Sequence, residues 1–436
     1  MNYHSRILCC CDEGVTFKSE VKTSSIYCMS CFLQWMLFAT IILSTNGAMA
    51  AEKDKIRLQK DMQVLGERHS QSSPLKWSVS GVTAMGGSTL NSDELKQLQA
   101  GSHDPKQNGF TIQALALAVH AKLDNHVDAT ASIVSHIEPD GESVVELEQA
   151  FIHAKDLYLD TSVMAGQYFL NFGEENTLHP DDWDFVDVPF LLTRLFGGDK
   201  LRSQGIDLSW QLPSLSSSTL LFGVSNPHGE TATSFFYKQG EDVAGHKLKD
   251  REVSGMKDLL YLLKWSNKYS TNNSPHRIGF GASALFGPNA TGDSTNTQIY
   301  GLNFDWSLFS NGQSQKPKLN WRTELMYRNY EAGDTNDTSN EILKDYGLFS
   351  QAVWQLDNYL ALGLRAEFAN GNSGNFNTPQ RTKRKRFSIN VTRSLSKSIK
   401  WRLQYNRDLD DSVQDKSADS VWLQMIFKAG DHDEHE

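Results

Sequence analysis

The chain has 436 residues, with 42 Lys and Arg against 52 Asp and Glu, a formal net charge of −10 and a mean hydropathy of −0.45. That acidic balance argues against nucleic acid as a partner, and the polar average excludes a bundle of membrane helices, each of which needs roughly 20 consecutive apolar residues. All five cysteines, Cys9, Cys10, Cys11, Cys28 and Cys31, lie at the N-terminal end, so the rest of the chain has no disulfide framework.

The first element is the apolar run from Cys31 to Leu43, which is too short to span a bilayer and is followed by the small-x-small site Ala48-Met49-Ala50. This reads as a secretory signal over residues 1–50, cut after Ala50, with Met29 as an alternative start. Cys31 precedes the apolar run, which disfavours a lipoprotein. The Cys9 to Cys11 cluster has no matching His or Cys set for a metal, and a misassigned start explains it as well. Residues 51–74 carry Ile56, Leu58, Met62 and Leu65 at loosely helical spacing and read as a periplasmic tail or short helix, with a linker as the alternative.

From Leu75 onward sixteen strand candidates fall near 75–86, 109–122, 125–137, 142–154, 157–172, 205–213, 217–226, 257–270, 275–287, 296–309, 317–331, 342–357, 359–370, 382–395, 398–408 and 418–429. The clearest pair places Tyr300, Leu302, Phe304, Trp306 and Leu308 on one face and Ile299, Gly301, Asn303, Asp305 and Ser307 on the other. In the next, Leu319, Trp321, Leu325 and Tyr327 alternate with Asn320, Arg322, Glu324 and Arg328. Successive side chains of a strand point to opposite faces, so each strand has one apolar and one polar face.

A soluble sandwich would alternate in the same way, and the connections separate the two folds. After even-numbered candidates they are short (Leu123-Asp124, Lys155-Asp156, 213–216, 271–274, Asp357-Asn358, Ser396-Lys397), and after odd-numbered ones several are long (87–108, 173–204, 227–256, 332–341, 371–381). Outer-membrane barrels sort their loops this way, with the long ones outside the cell. The expected fold is therefore all-β, a transmembrane antiparallel outer-membrane β-barrel of about 16 strands over 75–430. Trp77, Tyr168, Phe169, Trp210, Tyr300, Trp306, Trp321, Tyr327, Trp354, Tyr359, Trp401, Tyr405 and Trp422 lie mostly near strand ends, as interfacial girdles would. Glu146, Glu148, Arg322, Glu324, Arg328, Arg365, Glu367 and Arg402 then face a lumen wide enough to hold water.

The connection 173–204 is unusually apolar, with Trp183, Phe185, Val186, Val188, Phe190, Leu191, Leu192, Leu195 and Phe196. Such a loop is predicted to fold inward and narrow the pore, the alternatives being a cap on the barrel or a contact with a neighbouring protomer. His179, Asp181, Asp182, Trp183, Asp184, Asp187, Arg194 and Arg202 are the constriction and selectivity candidates, because carboxylates in a confined mouth concentrate cations. His179, Asp181 and Asp182 offer metal-ligand chemistry but match no metal motif, so no metal site is assigned there.

At the C-terminus, His432 and His435 in DHDEHE are weak Zn²⁺ candidates or part of a solubilising end, and Phe427 stands internally where many barrels close on an aromatic residue for the insertion machinery. The basic run Arg381 to Arg386 is read at the outer end of the fourteenth strand, suited to lipopolysaccharide phosphates, to anion attraction or to a plain solvated edge. Gly279-Phe280-Gly281 and residues 84–88 lack the strand-to-helix context of a phosphate loop, and no nucleophile elbow is present, so neither enzymatic activity nor a cofactor is expected.

Four stretches carry a family likeness: DPKQNGFTIQ from Asp104, VELEQAFI from Val145, the long block from Met164 to Trp210 containing HPDDWDFVDVP, and VWLQMIFKAG from Val421. They resemble proteobacterial outer-membrane proteins often labelled zinc-regulated TonB-dependent receptor-like, and more distantly the phosphate-selective porins. The resemblance implies a porin-like barrel in a Gram-negative outer membrane that moves small solutes or ions, metal-related cargo being one option. A TonB-dependent receptor needs a plug domain and a roughly 22-stranded barrel, for which this chain is too short. A plugless channel is the expectation, with TonB-linked uptake of a metal or metal complex and a surface scaffold or adhesin as alternatives. The partners implied are outer-membrane lipid, lipopolysaccharide and the barrel-insertion machinery, with a homotrimer by analogy.

Overall fold

The computed structural model describes residues 75–430 apart from 214–216, 228–230, 237–241, 244–245, 271–273, 311–315, 334–339, 372–382 and 412–415. The wall consists of β1 (Leu75–Ser88), β2 (Gly109–Lys122), β3 (Val127–Ile137), β4 (Ser143–Leu157), β5 (Thr161–Phe169), β6 (Arg202–Gln211), β7 (Ser218–Ser225) and β8 (Leu260–Ser270), then β9 (His276–Pro288), β10 (Asn296–Leu308), β11 (Leu319–Ala332), β12 (Glu341–Gln355), β13 (Leu360–Gly371), β14 (Arg384–Ser394), β15 (Ile399–Asp410) and β16 (Ser417–Gly430). Each strand pairs antiparallel with its neighbours in sequence, and β1 pairs with β16 from Ser78 opposite Gly430 to Ser88 opposite Ser420. The sixteen strands thus form a closed barrel, as expected, and none of these sixteen has an unpaired edge.

The outer wall is apolar. In the clearest pair Leu302, 59% exposed, lies opposite Leu325, and Trp306 lies opposite Trp321 with ring centroids 6.3 Å apart. Trp77, Tyr158, Trp210, Tyr269, Trp354 and Tyr359 are exposed near the turn end and continue that aromatic belt. Tyr168, Phe169 and Trp422 depart from the girdle expectation at 1%, 6% and 0% exposure: Phe169, the last residue of β5, meets the His179 ring at 5.6 Å, and the other two point inward. Strand parity is the reason, since Tyr168 donates to the inward Asp207 at 2.8 Å and Trp422 shares a face with Ser420 and Gln424.

The turn expected at Lys155-Asp156 lies later, at 158–160. β4 continues to Leu157 through a register shift, and Leu159 and Asp160 then take φ of 62° and 55°. Two helices lie in connections read as loops. α1 (Ser92–Leu98) is capped by Asn91, whose side chain accepts from the Asp93 and Glu94 amides at 3.1 and 3.0 Å. α2 (Phe190–Phe196) lies in the apolar connection between β5 and β6, and all seven of its residues are buried. The calls on the signal segment, the 51–74 tail, Arg381 and the His432/His435 end lie outside the described residues.

Candidate pore constriction

The barrel's core is not a sheet-on-sheet interface but the connection 170–201, folded into the lumen. Its neck is closed by the Leu170 amide donating to the Leu201 carbonyl at 3.0 Å, and Asn176 ties both sides, donating to the carbonyls of Leu170 and Leu201 at 2.7 and 2.8 Å. Beyond the neck, Phe172, Trp183, Val188, Phe190, Leu191, Leu192, Leu195 and Phe196 pack with Leu221, Leu260, Leu262, Leu285, Ile299, Met326 and Phe349 from the inner faces of β7 to β12. Burying each such side chain is worth about 1.5–3 kcal/mol, which holds a segment this long in place. The wall leaves room for it: a Cβ at Gly301 would meet the Phe172 ring at 2.7 Å, and one at Gly347 would meet Leu191 at 2.7 Å.

Polar ties then fix its orientation. Asp187, 1% exposed, accepts from Arg386 at 2.9 Å, from Arg365, from Gln99 at 3.1 Å, and from Gln404 and Asn406 at 3.0 Å each. Burial opposes its charge, but Arg386 and Arg365 outweigh burial and hold its carboxyl well below the usual range. Arg194 of α2 pairs with Asp345 at 2.9 Å, and Asp345 also receives Arg328. Glu324 accepts the amides of Glu174 and Glu175 at 2.8 Å each, while Glu175 binds Arg322 at 2.7 Å and Glu174 binds Lys264 at 2.9 Å. Glu367 accepts the Phe190 amide at 2.8 Å, at the start of α2. Arg402 donates to the carbonyls of Trp183 and Phe185 at 2.7 and 3.0 Å. His179 contacts Glu148 at 2.9 Å, Lys428 holds both Asp181 and Asp182, and Arg202 pairs with Glu146 at 2.6 Å.

All the expected lumen residues therefore face inward, but two features of that expectation change. Glu148, Glu324, Arg328, Arg365, Glu367 and Arg402 are buried at 1 to 4% exposure instead of wetted, because the inserted segment fills the space beside them. Asp187 and Arg194 are also buried, and Asp181 and Asp182 share Lys428, so these groups serve as ties to the wall. Asp184 differs: it is half-buried, and its carboxylate makes no hydrogen bond among the described residues.

The basic run is corrected by strand parity. Arg384 and Arg386 face inward onto Asp408, both at 2.9 Å, while Lys385 faces outward. Sequence reading also missed Gln99, Gln113, Lys264, Asp345, Arg386, Gln404, Asn406 and Lys428 as partners of the segment. Inward parity was the available signal for those on strands.

No protein-family model matches the chain. An uncharacterised protein of Aquifex aeolicus is 24% identical over 382 residues, covering 80% of this chain and 77% of that one. Among solved structures, the outer-membrane channel DcaP of Acinetobacter baumannii superposes with a TM-score of 0.51 at 13% identity, covering 81% of this chain and 96% of that one. OprB of Pseudomonas putida gives 0.50 at 12% identity, covering 81% and 94%. The chain is thus a closed sixteen-stranded antiparallel barrel with an apolar outer wall, the architecture of outer-membrane barrels, and is similar in fold to these two proteins.

Proposed function

We propose that the protein is an outer-membrane channel for small hydrophilic solutes or ions, and that the 170–201 connection narrows its passage. The observation that carries this reading is the insertion of that connection into the lumen, tied by buried side chains to β2, β4, β8 and β11 through β16. A cap on the rim would not meet inward-facing residues on opposite walls. Single-channel recording of the refolded protein in planar bilayers tests it: discrete current steps are expected, and their absence overturns the reading.

A second reading rests on how fully the wall is covered at mid-height, where Arg328 and Arg365 are 1% exposed and Gln404, Asn406 and Gln424 are 0% exposed. A barrel sealed there would be a surface scaffold, and the same recording separates the two. TonB-linked uptake finds less support, because what fills this lumen is a connection of the wall itself. It predicts that uptake collapses in cells lacking the energising partner. On the channel reading, uptake is unchanged.

A further inference from the structure

On the turn side of the inserted segment, the inner wall carries basic side chains on a run of nearby strands. Parity places Lys400 of β15, Lys428 of β16, Lys76 of β1, His120 and Lys122 of β2, and Lys155 of β4 on the inward face. Register gathers them in two groups: Lys400 lies opposite Ile426, two residues from Lys428; Lys76 lies opposite His120, Lys122 opposite Asp128, and Asp128 opposite His153, two residues from Lys155. Ser80, opposite Lys428, is four residues from Lys76 and separates the groups. The wall answers this arc with Asp128, which is paired with Lys155, and the inserted segment answers with Asp181 and Asp182, both on Lys428, and with Asp184, whose charge Arg402 and Lys400 favour. Lys122 is exposed and Lys400 half-buried, and neither has a carboxylate within ion-pair distance among the described residues. Across the lumen, Lys268 and Arg277 are exposed and inward as well, Lys268 lying 3.8 Å from Glu174.

Within each group inward neighbours on adjacent strands lie roughly 5–8 Å apart, inside the screening length of about 10 Å at 0.1 M salt. Their potentials therefore add in a confined space with low-dielectric walls, which raises the local concentration of the opposite charge. The acids of the inserted segment, which on sequence favour cations, are largely consumed by their ties.

We propose that this arc is an anion-collecting vestibule and that the solutes crossing the barrel are small anions. For passage this rests on the channel reading; for binding it does not.

The test uses the Lys122→Gln/Lys400→Gln double variant, which orphans no buried acid, with heat-dependent gel migration showing that the barrel has formed. Reversal potentials of the wild type in asymmetric KCl are expected to have the sign of anion preference. The variant is expected to lower the anion-to-cation permeability ratio at least about threefold, more in dilute salt than in concentrated salt. Currents with cation preference in the wild type, or an unchanged ratio in the variant, overturn the vestibule and leave the channel reading standing. Absence of current overturns the channel reading, and calorimetric titration of the detergent-folded chain with tripolyphosphate then decides the vestibule. Saturable binding weakened about tenfold in the variant supports it, and binding that is absent or equal overturns it.

Discussion

Asp187 is the residue on which the inserted segment turns. Two guanidinium groups and three side-chain amides converge on one buried carboxylate, so removing its charge leaves Arg365 and Arg386 buried with fewer counter-charges. Breaking a buried pair in this way costs about 3–5 kcal/mol. Asp187→Asn is expected to release the segment without unfolding the wall. Limited proteolysis should cut between 173 and 200 much faster in the variant while heat-dependent gel migration is retained, and wild-type resistance there would refute the tie.

His179 and Asp104 make this docking weaken as pH rises. Burial alone would lower the pKa of His179, but Glu148 outweighs burial and raises it above 6.5. A raised pKa means that the docked state binds the proton more tightly, so this contribution is complete below 6.5 and is lost as pH rises through the docked-state value. Asp104, beside Val188, is pushed up to about 6, first by burial and then by Asp187. Its neutral form is favoured when docked, so docking weakens as pH rises from 3.8 towards about 6. Asp187 acts in the opposite sense, but only as pH falls below the ordinary carboxylate range. Lys200, which burial pushes down to about 8, acts in the opposite sense as well, strengthening docking as pH rises past about 8. Hydrogen exchange of 173–200, corrected for intrinsic rates, should therefore be faster at pH about 7.5 than at about 5.5. Glu148→Gln should abolish the part of that difference that lies above pH 6.5.

At the scale of the element, the inward folding of 170–201 was legible because a long connection with nine large apolar residues has no stable place in water. Its seat was written just as plainly, in the apolar residues that occupy the inward positions of β8 to β12: Leu260, Leu262, Leu285, Ile299, Met326 and Phe349. Ile299 fell on the face read as polar, and an apolar residue on a wet face marks where something covers it. What could not be read was the pairing, because Asp187 meets Arg365 and Arg386 from 178 and 199 positions away. Alternation states which way a strand residue points but not which loop residue arrives. Replacing 178–199 by a short Gly-Ser bridge should leave a folded barrel, since the ladder from β1 to β16 does not run through it. Single-channel conductance should then rise several-fold over the wild type; equal conductance would show that the segment does not limit the passage.

For the whole molecule, the face that meets lipid and the face that meets the inserted segment are set by the same alternation, and a one-residue slip would exchange them. Closure fixes the register on every strand, so the cost of a charge must depend on parity. Leu302 and Ser307 both lie in β10, the first 59% exposed on the outer wall and the second half-buried on the inner one. Leu302→Arg puts a guanidinium against hydrocarbon, at a cost of about 2–4 kcal/mol at mid-depth. Ser307→Asp places its new charge on the inner wall, opposite the exposed Arg277, where ions and water can answer part of it. Equilibrium refolding into lipid vesicles should therefore show the larger loss for Leu302→Arg. Equal losses would mean that the Leu302 face does not meet the bilayer, and the assignment of inside and outside for β10 and β11 would have to be reversed.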